Sequence, residues 1–332
     1  MTISPIQLSI IVPLYNEDES LPELHDWIVK VMRENHFTYE ILFMDDGSKD
    51  RSWEVIRELG QRNKHVRGMR FTRNYGKTAA LQTGFQAALG NVIITMDADL
   101  QDSPEEIPEL YRLITQEKYD LVSGWKQKRY DPITKTLPTK LFNAATRAIS
   151  GVYLHDFNCG LKAYRREVVK SVLIYGEMHR YIPVIAKWNG FNKIGEKVVQ
   201  HQARKYGTTK FGLERFLYGF LDLLSIAFVN KFGRRPMHFF GSLGTLMFFF
   251  GSMLTLWLIG EKIYNIYSHQ PYRNVTDNPL FFIALTVIIV GSQFFLGGFL
   301  GELLARQSIS KTGEYLIAQE VGSPQIHVEE DR

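Results

Sequence analysis

A single cysteine, Cys159, is all the thiol this 332-residue chain contains, so no internal disulfide is available and a reducing compartment is expected. Charge of one sign is equally scarce. The 39 basic and 35 acidic side chains leave a net charge of +4, too little for a nucleic-acid-binding face. The first residues lack the positive region that opens a secretory signal, and their apolar run, Leu8 to Leu14, is interrupted by Pro13 and reads as a strand. No glycine-rich turn follows that run, which excludes a dinucleotide fingerprint. Gly76-Lys77-Thr78 looks like the end of a phosphate loop, but the earlier glycine such a loop needs is replaced by Phe71. There is no internal repeat.

Two stretches lack all four charged residue types. Residues 236–260 and 278–301 contain no Asp, Glu, Lys or Arg, and only 17 residues separate them. At about 1.5 Å per helical residue each spans a hydrocarbon core of about 30 Å, which predicts two transmembrane helices between 236 and 304. A buried helical hairpin in a soluble protein is the alternative. Lys231, Arg234 and Arg235 precede the first stretch and Arg306 and Lys311 follow the second, whereas the loop between carries Lys262 and Arg273. That asymmetry predicts an inner (plasma) membrane protein with a cytoplasmic catalytic region and both termini cytoplasmic, the tail being 305–332. Residues 211–235 place Phe216, Leu217, Phe220, Leu223, Leu224, Ala227 and Phe228 at helical spacing, which predicts an amphipathic juxtamembrane helix.

The region before it, 1–210, reads as a catalytic α/β domain. Apolar runs at 8–14, 40–44 and 92–96 each end in polar or acidic residues, and helical patterns fill Ser20 to Glu34 and Ser52 to Asn63. Ser20 and Glu23 have the spacing of a capping box. Strand alternating with helix predicts a parallel sheet whose ligands sit beyond the carboxyl ends of its strands. A further strand is expected at Asp120 to Gly124, and an amphipathic helix at 139–154 with Leu141, Phe142, Ala145 and Ile149 on one face.

The segment MDADLQDSPEE, 96–106, carries the clearest chemistry. Asp97 and Asp99 directly follow an apolar strand, and two carboxylates so placed can hold a hard divalent cation while leaving positions for water and phosphate oxygens. The first strand leads into Pro13, Leu14, Tyr15, Asn16 and Glu17, and the second into Asp45 and Asp46. An aromatic ring and carboxylates at two strand ends suit a nucleotide; simple strand-end turns are the other reading.

IIVPLYNE, FMDDGSKD, RNYGKTAALQTGF, MDADLQDSPEE, VSGWKQKR, DFNCGLKAYRREV, GEMHRYIP and RKYGTTKFG occur in this order and spacing. Together they resemble family 2 glycosyltransferases of the polyprenyl-phosphate type, related to dolichyl-phosphate mannose synthase and most like the bactoprenol glucosyltransferases. The resemblance implies a GT-A, Rossmann-like fold followed by the juxtamembrane helix and the two-helix hairpin. It implies a nucleotide-sugar donor held by Pro13, Tyr15, Asn16, Glu17, Asp45, Asp46, Lys77 and Asp97. Asp97, Asp99 and Gln101 would surround Mg²⁺ or Mn²⁺, with neutral Gln101 giving at most a carbonyl oxygen or a water contact. Asp156 would be the candidate base beside the reacting sugar, in an element that includes Gly160 and Lys162. Arg129, Arg204, Lys205, Thr209 and Lys210 would bind the acceptor phosphate. Cys159 stands where the family often has a small hydroxyl residue, and a structural thiol is expected there.

The reaction so implied is inverting transfer of a hexose, glucose from UDP-glucose, to undecaprenyl phosphate in the membrane, by a homo-oligomer. GDP-mannose, a UDP-aminoarabinose derivative or a UDP-N-acetylhexosamine are alternative donors, and an inactive nucleotide-sugar sensor is the non-enzymatic alternative. The absence of Gln-x-x-Arg-Trp and the presence of only two spans argue against a processive polysaccharide synthase.

Overall fold

The computed structural model describes residues 6–127, 143–202 and 235–309, side chains to 304, together with 205, 225, 227, 228 and 232. The chain divides into two compact units, 1–224 and 225–332.

The first unit is built on one seven-stranded sheet of order β3-β2-β1-β4-β6-β5-β7. Strands β1 (Leu8–Leu14), β2 (Tyr39–Asp45), β3 (Val66–Arg70) and β4 (Val92–Thr95) are mutually parallel. They alternate with α1 (Leu21–Glu34), α2 (Ser52–Arg62) and α3 (Lys77–Ala87). Every residue of β1 and β4 is buried, so both faces of the sheet are covered, which is why these strands read as unbroken apolar runs. Helix α4 (Ile107–Thr115) leads to β5 (Leu121–Trp125). Then the order breaks: β6 (Lys162–Arg165) inserts antiparallel between β4 and β5, and β7 (Ile194–Val198) closes the edge parallel to β5.

That antiparallel strand decides where the site forms. Because β6 runs against its neighbours, its first residue, Lys162, pairs with the last of β4, Thr95, and with Ser123 of β5. The segment 156–162 is thereby brought to the same edge as the ends of β1, β2 and β4.

The expected strands and the helices from Ser20 and Ser52 stand within a residue or two of their sequence bounds. Ser20 departs from its expected role. Its hydroxyl donates backward to the Glu17 carbonyl at 3.0 Å and makes no side-chain cap, because it ties the β1 loop instead of the first helical turn. The helix expected at 139–154 is helical at 143–150 and leaves the helix at Gly151, whose φ is +66°; residues 139–142 lie outside the described residues. Its buried side is polar. Asn143, Thr146 and Ser150 face inward while Ile149 is exposed, because Asn143 donates to the His155 carbonyl at 2.7 Å and Ser150 to that of Thr146 at 2.6 Å.

In the second unit a π turn, Met237–Gly241, leads into a helix over Ser242–Tyr267, and a second helix covers Pro279–Ile309. Both are long and apolar enough to cross a membrane. Leu246 and Leu256 are about two-thirds exposed, at 67% and 68%, the opposite of what a buried soluble hairpin requires. The helices pack through glycine: a Cβ on Gly244 would lie 2.5 Å from the Gly291 carbonyl oxygen, and one on Gly298 would lie 2.9 Å from the Gly241 nitrogen. Of the small residues 241, 244, 297 and 298, which could equally have served association between copies, those at 241, 244 and 298 join the two helices of one hairpin, and a Cβ at Gly297 would meet nothing within 4 Å. The amphipathic helix expected at 211–235 lies outside the described residues except at Ser225, Ala227, Phe228, Phe232 and Arg235.

Candidate active site

The loops after β1 and β2 are fastened to each other by backbone donors. Asn16 N–H donates to Ser48 Oγ at 2.9 Å, Glu17 N–H to Ser52 Oγ at 2.9 Å, and Lys49 N–H to Asn16 Oδ1 at 2.8 Å. Asn16 adopts φ +56°, a left-handed conformation that asparagine tolerates better than most residues. Tyr15 and Glu17 are half-buried on this edge.

Both expected nucleotide carboxylates of β2 are engaged by the protein itself. Asp45 accepts the Ser48 N–H at 2.8 Å and pairs with Arg70 at 3.4 Å. Asp46 accepts two consecutive backbone donors, Tyr75 N–H at 2.7 Å and Gly76 N–H at 2.9 Å, and so pins the loop that opens α3. Burial, with Asp45 alongside, pushes the Asp46 carboxyl above its ordinary range despite those two donors. Gly47 follows at φ +74°, where a Cβ would lie 2.5 Å from the Arg73 carbonyl carbon; only glycine lets the two loops approach this closely.

Pinning that loop delivers Lys77, the first residue of α3, to the end of β4. Its ammonium pairs with the Asp97 carboxylate. On the opposite side, Asp97 rests on Gly160: a Cβ there would lie 2.5 Å from Oδ2, 2.6 Å from Cγ and 2.8 Å from Oδ1. Burial opposes ionisation of Asp97, but the ammonium groups of Lys77, Lys126 and Lys162 outweigh it and hold the carboxyl down at about 2. Pro13, Lys77, Asp97, Gly160, Lys162 and His179 line one cleft, although 166 positions separate the first from the last.

Asp99 is buried, and its Oδ1 accepts the Gln101 N–H at 3.2 Å. Between them Leu100 is held at φ +61°, a strain of about 1–3 kcal/mol for a branched residue, with its side chain anchored in the core. The Gln101 carbonyl accepts the Gln202 N–H at 3.0 Å, which leaves its second lone pair and the side-chain amide for a further contact. Among the described residues no three His, Cys, Asp or Glu side chains are grouped as metal ligands. Two carboxylates completed by water and substrate phosphate suit Mg²⁺, which seldom uses an all-protein cage. The fit is visible at Gly160, where the missing Cβ is the space the Asp97 carboxylate occupies.

Asp156 is 1% exposed and precedes in sequence Phe157 and Asn158, which line the cleft. Its Oδ1 accepts the Asn158 N–H at 2.9 Å. Lys162 is buried and donates to the carbonyls of Phe157 and Cys159, and burial lowers its ammonium below the usual range. Cys159 is a buried free thiol, pushed up to about 12 by burial and the Asp102 carboxylate, as a structural thiol should be.

Of the residues expected at the acceptor phosphate, Arg129, Arg204, Thr209 and Lys210 lie outside the described residues. Lys205 is described, and its ammonium pairs with both oxygens of Glu23 on α1, at 2.9 and 2.7 Å. Two features escaped the sequence reading. Lys126 pairs with fully buried Asp102 at 2.7 Å beneath the Asp97 loop. Glu196 on β7 accepts the His155 N–H at 2.7 Å and binds its ring, which stacks on Trp125 at 4.1 Å between centroids. Lys126 and Trp125 fall within the VSGWKQKR block, the one signal that pointed toward them.

The family described as Glycosyl transferase family 2 matches residues 9–173. The dodecaprenyl-phosphate galacturonate synthase of Rhizobium johnstonii is 34% identical over 307 residues, covering 92% of this chain and 89% of the relative. The undecaprenyl-phosphate 4-deoxy-4-formamido-L-arabinose transferase of Pectobacterium carotovorum is 34% identical over 301 residues, covering 90% and 88%. Among solved structures, glucosyl-3-phosphoglycerate synthase from Mycobacterium tuberculosis, in complex with Mn²⁺, UDP-glucose and glycerol 3-phosphate, aligns with a TM-score of 0.50 at 20% identity, covering 68% of this chain and 79% of that one. At that identity the likeness is one of fold.

Proposed function

Because this chain belongs to glycosyl transferase family 2, with a GT-A fold, we propose that it transfers a sugar from a nucleotide donor to the phosphate of a polyprenyl phosphate with inversion at the anomeric carbon. The observation that carries this reading is the cleft in which Asp97 lies between Lys77 and Gly160 at the ends of β1 and β4.

Asp97 and Asp99 would hold a divalent cation, with a side-chain contact from Gln101. A cation held by these residues would supply positive charge to offset that of the departing nucleoside diphosphate. The chain's own residues do the rest. Lys77 supplies a cation to the donor phosphates from the N-terminus of α3, where backbone N–H groups also favour an anion. Pro13, Tyr15, Asn16 and Glu17 form the loop against the nucleotide, with Asp45 and Asp46 holding its shape. An acceptor phosphate has its second pKa near 6, so at neutral pH it attacks largely as a dianion and little proton removal is needed. The burial of Asp156 supports a part in positioning residues 157–160 rather than in taking a proton. Arg129, Arg204, Lys205, Thr209 and Lys210 would meet the acceptor phosphate, Lys205 by exchanging its exposed partner Glu23 for it.

For the donor, the two relatives described above are named for galacturonate and for 4-deoxy-4-formamido-L-arabinose, so neither supports the glucose expected from sequence. We therefore place UDP-galacturonate and a UDP-4-amino-arabinose derivative ahead of UDP-glucose. The apolar hairpin supports a plasma-membrane protein, and the Lys and Arg asymmetry supports cytoplasmic termini. Such an anchor would keep the enzyme in the membrane that holds its lipid acceptor, as a homo-oligomer.

The test is a screen of UDP-galacturonate, UDP-4-formamido-arabinose, UDP-glucose and GDP-mannose against undecaprenyl phosphate with Mg²⁺ or Mn²⁺, reading radiolabel in the organic phase. Label from either of the first two donors supports the reading. Absence of lipid-linked label from every donor, in protein that is folded, would leave the sensor reading in its place.

A further inference from the structure

The block from Gly176 to Pro183 contributes His179, for which the transfer chemistry above has no role. A short 3-10 turn, Met178–Tyr181, carries its ring into the cleft wall with Lys77, Asp97 and Lys162. The side chain is 10% exposed. Buried Thr78, next to Lys77 on α3, meets Nδ1 through Oγ1 at 2.9 Å, and the Glu177 carboxylate lies 3.9 Å from the same nitrogen. Among the described residues no hydrogen bond is made to Nε2.

A histidine with a purely structural role directs both nitrogens to protein partners, since a buried polar atom without one is costly. Here one nitrogen is fixed from behind and the other is left for the cleft. Burial, with Lys77, Arg180 and Lys162 nearby, keeps the ring neutral against the opposing pull of Asp97. A neutral imidazole brings no charge to a diphosphate, for which Lys77 is already in place. It matches a hydroxyl, which donates to or accepts from either tautomer.

We propose that His179, oriented by Thr78, hydrogen-bonds a hydroxyl of the donor sugar through Nε2 and so determines sugar specificity in this cleft. The proposal rests on the reading of the cleft as a nucleotide-sugar site.

Two conservative variants separate the nitrogens. In His179→Asn the amide matches Nδ1 and keeps Thr78 but removes the Nε2 contact; His179→Gln reaches the Nε2 position and gives up Thr78. Full-length wild type and both variants, in detergent with Mg²⁺, are titrated calorimetrically with UDP and with UDP-galacturonate. The expected result for His179→Asn is affinity for UDP-galacturonate lowered about tenfold, the size of one hydrogen bond, with UDP affinity within twofold of wild type. His179→Gln is expected to recover part of the loss. Equal losses for UDP and UDP-galacturonate in both variants, or no loss in His179→Asn, would overturn the proposal. Wild-type protein that binds neither nucleotide overturns the nucleotide-sugar reading, and this proposal with it.

Discussion

Replacing Gly160 by alanine adds one methyl group at the point where Asp97 has no room for it. The new Cβ would lie 2.5 Å from Oδ2, 2.6 Å from Cγ and 2.8 Å from Oδ1, so the whole carboxylate is displaced, not one edge of it. Reaching even a tight contact near 3.4 Å requires a shift of about 0.9 Å (3.4 minus 2.5). The backbone at 160 resists, because its carbonyl accepts the Thr95 hydroxyl at 2.9 Å and β6 begins two residues later. Asp97 yields instead, away from the position in which it meets Lys77. A misplacement of about 1 Å in a reacting constellation lowers rate by about a hundredfold, or about 2.7 kcal/mol in the barrier. Folding stability should fall by only about 1 kcal/mol, the lower end of the overpacking range, since the Asp97 side chain is 31% exposed and can rotate into the cleft. Initial rates of lipid-linked product and thermal melting of Gly160→Ala against wild type measure both quantities. Transfer within threefold of wild type would refute the reasoning, because Asp97 would then not need the position that Gly160 permits.

Lys126→Met should lower stability by about 3–5 kcal/mol by leaving Asp102 buried without its cation, read as a fall in melting temperature, and Asp102→Asn in the same chain should restore part of it. Cys159 should resist alkylation by iodoacetamide at pH 8 in folded protein and react after denaturation, because its thiol is buried and pushed up to about 12. His179 is held neutral in the fold, below its unfolded value of about 6.5, so the unfolded chain takes up a proton that the folded chain refuses. Stability should therefore be unaffected by His179 above pH 7.5 and should decline below pH 6.5 by up to about 1.4 kcal/mol per pH unit, a decline that His179→Asn removes from the melting-temperature profile. Asp156→Asn should lose a similar fraction of transfer rate at pH 6 and at pH 8.5 because Asp156 positions residues 157–160; loss at pH 6 with recovery at pH 8.5 would make it a base.

Strands β1, β2 and β4 and helices α1 and α2 were legible because each is dictated locally. β1, β2 and β4 are buried on both faces and appear as apolar runs, and α1 buries Leu21, Leu24, Ile28 and Val31 at helical spacing. The hairpin was legible for the same reason, since a long charge-free run has few other folded uses. Asp97 and Asp99 stood out in the sequence because the apolar strand before them is unmistakable. β3, β6 and β7 were not, because VRGMR, KAYR and IGEKV carry charged or half-exposed residues and no run longer than a turn would show.

The sequence by itself thus determined three of the four parallel strands β1 to β4, where the chain becomes apolar, and which carboxylates end a strand. Only the tertiary structure decided that β6 runs antiparallel, that Gly160 lies under Asp97, that Lys126 neutralises Asp102, and that Thr78 aims His179 into the cleft. Each of these depends on a partner between 24 and 101 residues away, as in Lys126 with Asp102 and His179 with Thr78. Periodicity and propensity report the near neighbours of a residue; strand direction, a missing Cβ and a buried ion pair depend on groups that meet only when the chain has closed.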